Sequence, residues 1–195
     1  MPNKIDKWNQ RYLSDLDTIP QPAFVLKENN HLLPSRGDAL DLACGRGGNA
    51  LYMAKLGLAV SAWDFSSVAI DKLNTVYEAE NLIINTSVRD IERNPPKPES
   101  FDVIVVSYFL DRNINKAIIN ALKPGGVLFY QTYTRNKVTE IGPDNPDYLL
   151  KENELLNIFR PLKVRVYREE SFCGDIKKGL RNQALFIGEK VSLND

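Results

Sequence analysis

A glycine-rich turn is the feature of the sequence best suited to bind a ligand. It runs from Asp41 to Gly48 as Asp-Leu-Ala-Cys-Gly-Arg-Gly-Gly, and Gly45, Gly47 and Ala50 satisfy the pattern G-x-G-x-x-G/A. An apolar strand candidate precedes the turn and a helix candidate follows it, which is the setting of a dinucleotide-binding fingerprint. The pattern alone fits NAD and other nucleoside cofactors. A tight turn that binds no ligand also satisfies it.

Asp41 favours one class of ligand over the others. A carboxylate at the end of the first strand would face the bound group, and it would repel a pyrophosphate with little water to screen it. S-adenosylmethionine carries an ammonium and a sulfonium group, which are both cationic. Its carboxylate can accept hydrogen bonds from the backbone N–H groups of the turn and the helix start. The turn therefore favours S-adenosylmethionine.

Two further aspartates follow the next two strand candidates. Asp64 could accept hydrogen bonds from both ribose hydroxyls of NAD or of S-adenosylmethionine, although a helix-capping role would also explain it. Asp90 could accept a hydrogen bond from an adenine amino group, with Ile91 and Phe65 packing on the faces of the ring. The alternative for Asp90 is a solvated loop position.

These side chains require strands whose ends meet at one edge of a sheet. Short apolar runs at 39–43, 60–64, 82–88, 103–107 and 127–132 alternate with helical patterns at 49–56, 66–79 and 113–122. That order predicts a parallel sheet with helices on both faces. After a loop at 134–148 and a helix at 152–159, two strand candidates at 164–167 and 184–188 have no clear helix between them. They should therefore pair antiparallel.

Composition limits the classes of function. The chain has 195 residues and no net charge, which fits one domain and argues against a broad electrostatic grip on nucleic acid. Cys44 and Cys173 form neither a disulfide framework nor a zinc-ligand spacing, and His31 is the single histidine, so no metal site is expected. No apolar run is long enough for a membrane span, and the polar start is unlike a signal peptide. We expect a cytoplasmic monomer or homodimer.

Five motifs in order resemble the class I S-adenosylmethionine-dependent methyltransferases. They are 41–48, Asp64, Arg89-Asp90, Phe101-Asp-Val-Ile-Val-Val-Ser107 and Leu122-Lys-Pro-Gly-Gly-Val-Leu128. Two further segments, Trp8-Asn9-Gln10-Arg11-Tyr12 and Tyr130-Gln-Thr-Tyr133, are similar to the tellurite-resistance and thiopurine-methyltransferase-like branch. The resemblance implies a Rossmann-like α/β three-layer sandwich with strand order 3-2-1-4-5-7-6 and an antiparallel last strand. It also implies that Trp8 and Arg11, on a helix within residues 1–20, cover the methionyl end of the cofactor.

The predicted site has two parts. The cofactor-binding residues are Trp8, Arg11, Asp41, Ala43, Cys44, Gly45, Arg46, Gly47, Asn49, Asp64, Phe65, Ser66, Arg89, Asp90, Ile91 and Ser107. The candidate substrate residues are Tyr12, Tyr108, Phe109, Arg112, Tyr133 and Arg135, of which the arginines could hold an anionic substrate. Relatives often carry a histidine where this chain has Asp111, so a histidine role on substrate is not carried over.

A methyltransferase must align acceptor, methyl carbon and sulfur, and it needs a general base only if the acceptor holds a proton at neutral pH. The sequence offers no obvious base, and a thiolate or a reduced selenium or tellurium species would need none. The leading hypothesis is therefore methyl transfer to a small molecule. The alternatives are an NAD-dependent oxidoreductase, a cofactor-binding module without catalysis and, less favoured, a macromolecular substrate.

Overall fold

Helices and strands alternate along the part of the chain that the computed structural model describes, residues 4–14 and 20–191. The helices are α1 (Lys4–Ser14), α2 (Phe24–Glu28), α3 (Gly48–Lys55), α4 (Ser67–Ala79), α5 (Asn115–Ala121) and α6 (Glu154–Ile158), with short 3-10 helices at Asn30–Leu32 and Pro146–Tyr148. The strands are β1 (Asp38–Leu42), β2 (Ala59–Asp64), β3 (Ile84–Val88), β4 (Phe101–Ser107), β5 (Leu122–Tyr133), β6 (Lys163–Glu169) and β7 (Gln183–Glu189). None of these helices is long and apolar enough to cross a membrane.

The strands form one sheet in the order β3-β2-β1-β4-β5-β7-β6. The first five strands pair parallel, and β7 pairs antiparallel with both β5 and β6. The predicted strand order and the predicted antiparallel pairing are both confirmed. No helix separates β6 from β7, so the chain returns beside β6 in the opposite direction.

Successive residues of the central strands pack into two separate cores. Leu40, Ile104 and Tyr130 belong to the core under α5 and α6, together with Ile118 and Phe159. Residues 39, 103, 105 and 129 point the other way and pack with residues of α2, α3 and α4. Because side chains alternate across a strand, this continuous apolar pattern requires helices on both faces, as predicted.

Two elements differ from the predicted ones. The sequence analysis did not predict α2, which has five residues and is too short for a helical period to be visible. The fifth strand begins at Leu122 instead of residue 127, because the Lys-Pro-Gly-Gly segment joins the strand after α5 ends, with Gly125 at a φ of 79°. Leu122 pairs with Phe101 and Val127 with Val103, and the register shift between these pairs absorbs the extra residues.

Candidate functional site

The carboxyl ends of β1 and β4 lie side by side at the position where the strand order reverses direction. Ligands of open α/β sheets bind in the crevice at this position, because the connections from the two strands leave toward opposite faces. The glycine turn follows β1 directly, and Tyr108 follows β4. The topology thus brings the predicted cofactor turn and one predicted substrate residue to the same crevice.

The turn is shaped by three residues in left-handed backbone conformations. The φ angles of Ala43, Gly45 and Gly47 are 56°, 54° and 78°. The backbone N–H of Gly47 donates to the carbonyl of Cys44 at 2.9 Å, which closes the turn. A Cβ at Gly47 would also collide with the side chain of Leu73 on α4, so glycine is required there both by conformation and by space. Arg46 lies half-buried within the turn.

Cys44 is a buried part of this turn. Its backbone N–H donates to the carbonyl of Trp63 at 3.0 Å, and its thiol donates to the carbonyl of Gly45 at 3.5 Å. Burial raises the pKa of the thiol well above its ordinary value. The side chain therefore stays protonated and packs against its neighbours, since the thiolate is the nucleophilic form of a cysteine.

Asp41 lies under the turn and is fully buried. One carboxylate oxygen accepts a hydrogen bond from the backbone N–H of Ala50 at 3.0 Å, and the other accepts one from Asn49 Nδ2 at 3.3 Å. Burial raises its pKa from 3.8 to about 7, against the opposing effect of these two hydrogen bonds. The carboxylate therefore holds the first turn of α3 in place.

Asp64 joins the glycine turn to the start of α4. Its two oxygens accept hydrogen bonds from the backbone N–H groups of Gly45 and Ser66, each at 2.9 Å. The hydroxyl of Ser66 in turn accepts from the backbone N–H of Ala69 at 3.2 Å and caps α4. Burial raises the pKa of Asp64. The backbone N–H of Phe65 is a third donor to this carboxylate, and a carboxylate has about four acceptor positions, so one is left for a ligand.

Helix α1 lies over the turn and packs against α4. Asn9 Oδ1 accepts a hydrogen bond from the hydroxyl of Ser66 at 2.5 Å, which fixes the helix to the end of β2. A Cβ placed on Gly45 would come within 3.0 Å of the Tyr12 hydroxyl oxygen, so this side chain reaches the turn itself. A predicted substrate residue thus lies directly above a predicted cofactor residue.

Trp8 and Arg11 belong to an aromatic cluster on the same helix. The rings of Trp8 and Tyr12 stack with their centroids 5.9 Å apart, and the guanidinium carbon of Arg11 lies 5.1 Å from the centre of the Trp8 ring. Trp8 is half-buried and Arg11 is exposed. Both side chains are therefore held on α1 by their neighbours, next to the residue that touches the turn.

Asn49 connects four parts of the site. Its Oδ1 accepts a hydrogen bond from the backbone N–H of Ala23, at the start of α2, at 2.8 Å. Its Nδ2 donates to Asp41 and also to Ser107 Oγ, the latter at 2.9 Å. Asn49 is 4% exposed. This side chain therefore joins α2 and α3 to the ends of β1 and β4.

A second buried amide, Gln131, likewise joins separate parts of the site through hydrogen bonds. Its Oε1 accepts a hydrogen bond from the backbone N–H of Val25 at 2.6 Å. Its Nε2 donates to Gln183 Oε1 at 2.5 Å and to the Tyr108 hydroxyl oxygen at 3.3 Å. The sequence analysis did not identify Gln131 or Gln183 as site residues. The available signal was a polar residue inside an otherwise buried, apolar strand.

Tyr108 and Tyr133 form an aromatic pair at the ends of β4 and β5. Their ring centroids are 5.3 Å apart, and Tyr108 remains 46% exposed. Tyr108 has a φ of 55°, and its backbone N–H donates to the carbonyl of Gln131 at 2.8 Å. Burial of the hydroxyl, with a smaller contribution from Tyr133, raises the pKa of Tyr108. Both predicted substrate residues are therefore in the crevice region.

The residues after β3 have mostly local contacts. The guanidinium carbon of Arg89 lies 3.9 Å from the centre of the Trp63 ring, and its nitrogens donate to the carbonyls of residues 94 and 95. Asp90 is exposed and accepts from the backbone N–H groups of residues 92 and 93. Ile91 is buried in a core, whereas Phe65 is only half-buried beside Asp64.

The two predicted substrate arginines differ in how firmly they are held. Arg112 binds Glu154 through two nitrogens, at 2.6 and 3.1 Å, and it also donates to the carbonyls of residues 147 and 149. Arg135 donates to the carbonyl of residue 146 at 3.2 Å and is exposed. Arg112 thus joins the segment after β4 to α6.

Phe109 is half-buried against a core, and its carbonyl accepts from the Tyr130 hydroxyl at 2.8 Å.

The chain matches a family model over most of its length. Residues 10–182 match the family described as tellurite resistance protein TehB. A similar relative is the probable S-adenosyl-L-methionine-dependent methyltransferase TehB of Haemophilus influenzae, which is 41% identical over 87 residues. That alignment covers 43% of this chain and 30% of the relative. The aligned part is therefore less than a third of the length of that relative.

Solved structures share the fold. The crystal structure of TehB from Haemophilus influenzae superimposes with a TM-score of 0.69 and 25% identity, covering 94% of this chain and 67% of the other. A structure from a study of the conversion of a disulfide bond into a thioacetal group during echinomycin biosynthesis superimposes with a TM-score of 0.73 and 23% identity. This second comparison covers 98% of this chain and 95% of the other, and it supports the fold alone.

Proposed function

Because the chain belongs to the TehB family of tellurite resistance proteins, we propose that it transfers a methyl group from S-adenosylmethionine to a small, soft anion. The sequence-based resemblance to class I methyltransferases of the tellurite-resistance branch is confirmed by the family match, the relative and the solved structure. The acceptor we propose is a thiolate or a reduced selenium or tellurium species. Such acceptors carry a free electron pair at neutral pH.

The observation that carries this proposal is the pair of buried carboxyl groups beneath the glycine turn. Asp41 and Asp64 are both almost completely buried, and in its ionised form each raises the free energy of a pyrophosphate brought against it. A cationic ligand has the opposite effect, and it would favour the ionised form of both groups. The donor set therefore fits the ammonium and sulfonium of S-adenosylmethionine better than the pyrophosphate of NAD.

The residues around the turn have separate roles toward the cofactor. Asp64 would hold the ribose through the acceptor position that its three backbone contacts leave open. Phe65 and Asp90, at the ends of β2 and β3, lie on the adenine side. The backbone N–H groups at the start of α3 bind the carboxylate. Helix α1, with Trp8 and Tyr12, covers the methionyl end and excludes water.

When bound, S-adenosylmethionine supplies a methyl group on a sulfonium, a leaving group that needs no protonation. The acceptor would contribute the electron pair of the new bond, and the thioether left behind would keep the electrons of the old one. This chain's residues align the acceptor and exclude water. A thiolate acceptor has no proton to lose, so the reaction does not require a general base. His31, the single histidine, lies in the 3-10 helix before β1.

Replacement of Asp64 tests the cofactor part of the proposal. We expect Asp64→Ala to weaken the binding of S-adenosylhomocysteine by about 1–3 kcal/mol, because hydrogen bonding of the ribose to a charged acceptor is lost. Isothermal titration calorimetry measures the change. Asp71→Ala, on the exposed side of α4, is the matched control and should leave the affinity unchanged. Failure of the wild-type protein to bind S-adenosylhomocysteine at hundreds of micromolar would overturn the proposal.

The acceptor is tested separately with S-adenosylmethionine labelled in its methyl group. The panel contains thiols, selenite and tellurite each with an excess of a thiol reductant that converts them to reduced species, and small carboxylates. We expect label to appear on the thiols or on the selenium and tellurium compounds, and not on the carboxylates, whose oxygens are poorer nucleophiles. If S-adenosylhomocysteine binds but no member of the panel is labelled, the proposed acceptor class is wrong.

A further inference from the structure

The buried amide of Gln131 fixes the direction of a chain of hydrogen bonds. Gln131 is fully buried, and its side chain faces the backbone N–H of Val25 at 2.6 Å. A backbone N–H can only donate, so the amide oxygen must face it and the amide nitrogen must face the other way. The orientation of this side chain therefore follows from its chemistry.

The amide nitrogen has two hydrogens, and both have acceptors. One is donated to Gln183 Oε1 at 2.5 Å and the other to the Tyr108 hydroxyl oxygen at 3.3 Å. The Tyr108 oxygen is consequently an acceptor in this contact. The phenolic proton must then point away from Gln131, where it is available to a further acceptor.

Tyr108 itself lies at the crevice. The residue directly follows β4, at the point where the strand order reverses, and nearly half of its surface is exposed. Its left-handed backbone is held by the bond from its N–H to the carbonyl of Gln131, and its ring packs against Tyr133. Burial raises the pKa of the hydroxyl, so the phenol keeps its proton at neutral pH. A fixed, protonated donor thus borders the crevice.

We infer that Tyr108 donates its phenolic hydrogen bond to the anionic methyl acceptor, and that Gln131 is the positioning residue that directs the proton. The inference rests on the proposed function and specifies the acceptor further: a small anion with an oxygen, sulfur or selenium atom that accepts a hydrogen bond. The bond orients the acceptor toward the cofactor. No proton is transferred in this contact.

Tyr108→Phe tests the donor, because it removes one hydroxyl group and keeps the ring. Selenite and benzenethiolate are the probes, each titrated by calorimetry into the complex with S-adenosylhomocysteine. We expect the variant to bind both probes about tenfold more weakly or worse, as for loss of a hydrogen bond to a charged group. Its affinity for S-adenosylhomocysteine should match that of the wild type. Thermal unfolding shows whether the variant is folded.

Tyr77→Phe is the matched control. Tyr77 lies in the last turn of α4. This helix starts at the cofactor edge of the sheet, and Tyr77 is about 15 Å along it from that start. This variant should bind both probes like the wild type. Equal probe affinity in Tyr108→Phe and the wild type would overturn the inference. A wild-type complex that binds neither probe at about 10 mM would also overturn it. Absence of S-adenosylhomocysteine binding would instead contradict the proposed function.

Gln131→Glu tests the positioning role. A glutamate can still accept from the N–H of Val25, but its second oxygen can only accept, so the Tyr108 proton would turn toward it. Gln183 can rotate its amide to donate to the same carboxylate. We expect Gln131→Glu to weaken probe binding, and Tyr108→Phe to cost much less probe affinity in the Gln131→Glu background than in the wild type, a comparison in which the effect of the added charge cancels. An equal cost of Tyr108→Phe in the two backgrounds, or an equal loss of S-adenosylhomocysteine affinity, would contradict the positioning role.

Discussion

Asp41 couples its own ionisation to the stability of the fold, because its carboxyl group has no contact with water in the native state. The pKa is about 7 in the folded protein, against an ordinary value of 3.8. Between these values the folded state holds a proton that the unfolded state has lost. The free energy of unfolding must therefore fall as the pH rises through this window, by at most about 1.4 kcal/mol per pH unit.

Asp41→Asn isolates this effect. The amide does not titrate, so the stability of the wild type relative to the variant should decline by about 2 kcal/mol between pH 5 and 7 and level off near about pH 8. Urea unfolding at a series of pH values measures the difference. Other titrating groups are present in both proteins and largely cancel. Parallel stability curves would show that Asp41 does not titrate in this range.

Single residues also show what the sequence could predict of the site. The positions of Asp41, Asp64 and Asp90 follow from where strands end, and strand ends are visible in the apolar pattern. The hydrogen-bond partners of the carboxylates could not be predicted in the same way. Asp64 binds the N–H groups of two turns, and these turns come together only when the whole sheet has formed. Gln131 was missed because its partner, Val25, is distant in sequence.

Among the helices, α1 is the one whose attachment most directly affects the site. Asn9→Ala removes the bond to the Ser66 hydroxyl, which still caps α4 through its own oxygen. We expect S-adenosylhomocysteine to dissociate about five to ten times faster from this variant, because the cover opens more easily. Thermal unfolding of the free protein should change little. Stopped-flow measurement of the dissociation rate checks the prediction.

Gln10→Ala provides the control for α1. Gln10 is the next residue along the helix, and its side chain is exposed instead of facing α4. The variant also introduces alanine on α1, with a smaller gain in helix propensity than Asn9→Ala has, and it should release S-adenosylhomocysteine at the wild-type rate. If both variants release it equally fast, the bond between Asn9 and Ser66 does not hold the cover.

The segment after β4 is attached to α6 through Arg112 and Glu154, and the contribution of this ion pair to stability can be measured. Arg112→Ala should lower the free energy of unfolding by about 1 kcal/mol, a value reduced by the partial exposure of the pair. Glu154→Ala should cost a similar amount, and the double variant should cost little more than either. Chemical unfolding gives these values. A rise in acceptor KM without loss of stability would favour the substrate role first predicted for Arg112.

Some helices and strands could be predicted from the sequence and others could not. Helices α3 and α4 and strands β1, β2 and β4 were predicted to within two residues, because apolar periodicity and the Ser66 cap mark them directly. Helix α2 was not predicted, because it has one and a half turns and is held by Asn49 and Gln131 rather than by its own pattern. Short elements depend on tertiary contacts that a local pattern does not contain.

Across the whole molecule, the two edges of the sheet carry different contacts. The carboxyl edge has the glycine turn, the buried amides and the aromatic pair. The amino edge has an ion cluster in which Lys123 Nζ lies 2.7 Å from Asp38 Oδ2 and 2.8 Å from Asp102 Oδ2. The cluster joins the starts of β1, β4 and β5. We therefore expect changes at the amino edge to alter stability without altering ligand binding.

Lys123→Met tests this separation. Burial alone would raise the pKa of Asp102, but hydrogen bonds from Lys123 and from the backbone N–H of Asp38 outweigh it and lower the pKa. Stability from the pair is thus present above the ordinary carboxyl pKa of 3.8 and is lost as the pH falls through the lowered value. At neutral pH the variant should be less stable by about 0.5–1 kcal/mol, since the groups are partly exposed.

The same variant should bind S-adenosylhomocysteine with an unchanged dissociation constant, because the cluster lies at the opposite end of β1 from the glycine turn. Lys116→Met, on the exposed side of α5, controls for the loss of a surface charge and should change neither quantity. Added salt should reduce the stability difference between Lys123→Met and the wild type, as screening weakens the pair. A weakened affinity in Lys123→Met at full stability would mean that the two edges are coupled through β1, and the proposed separation would be wrong.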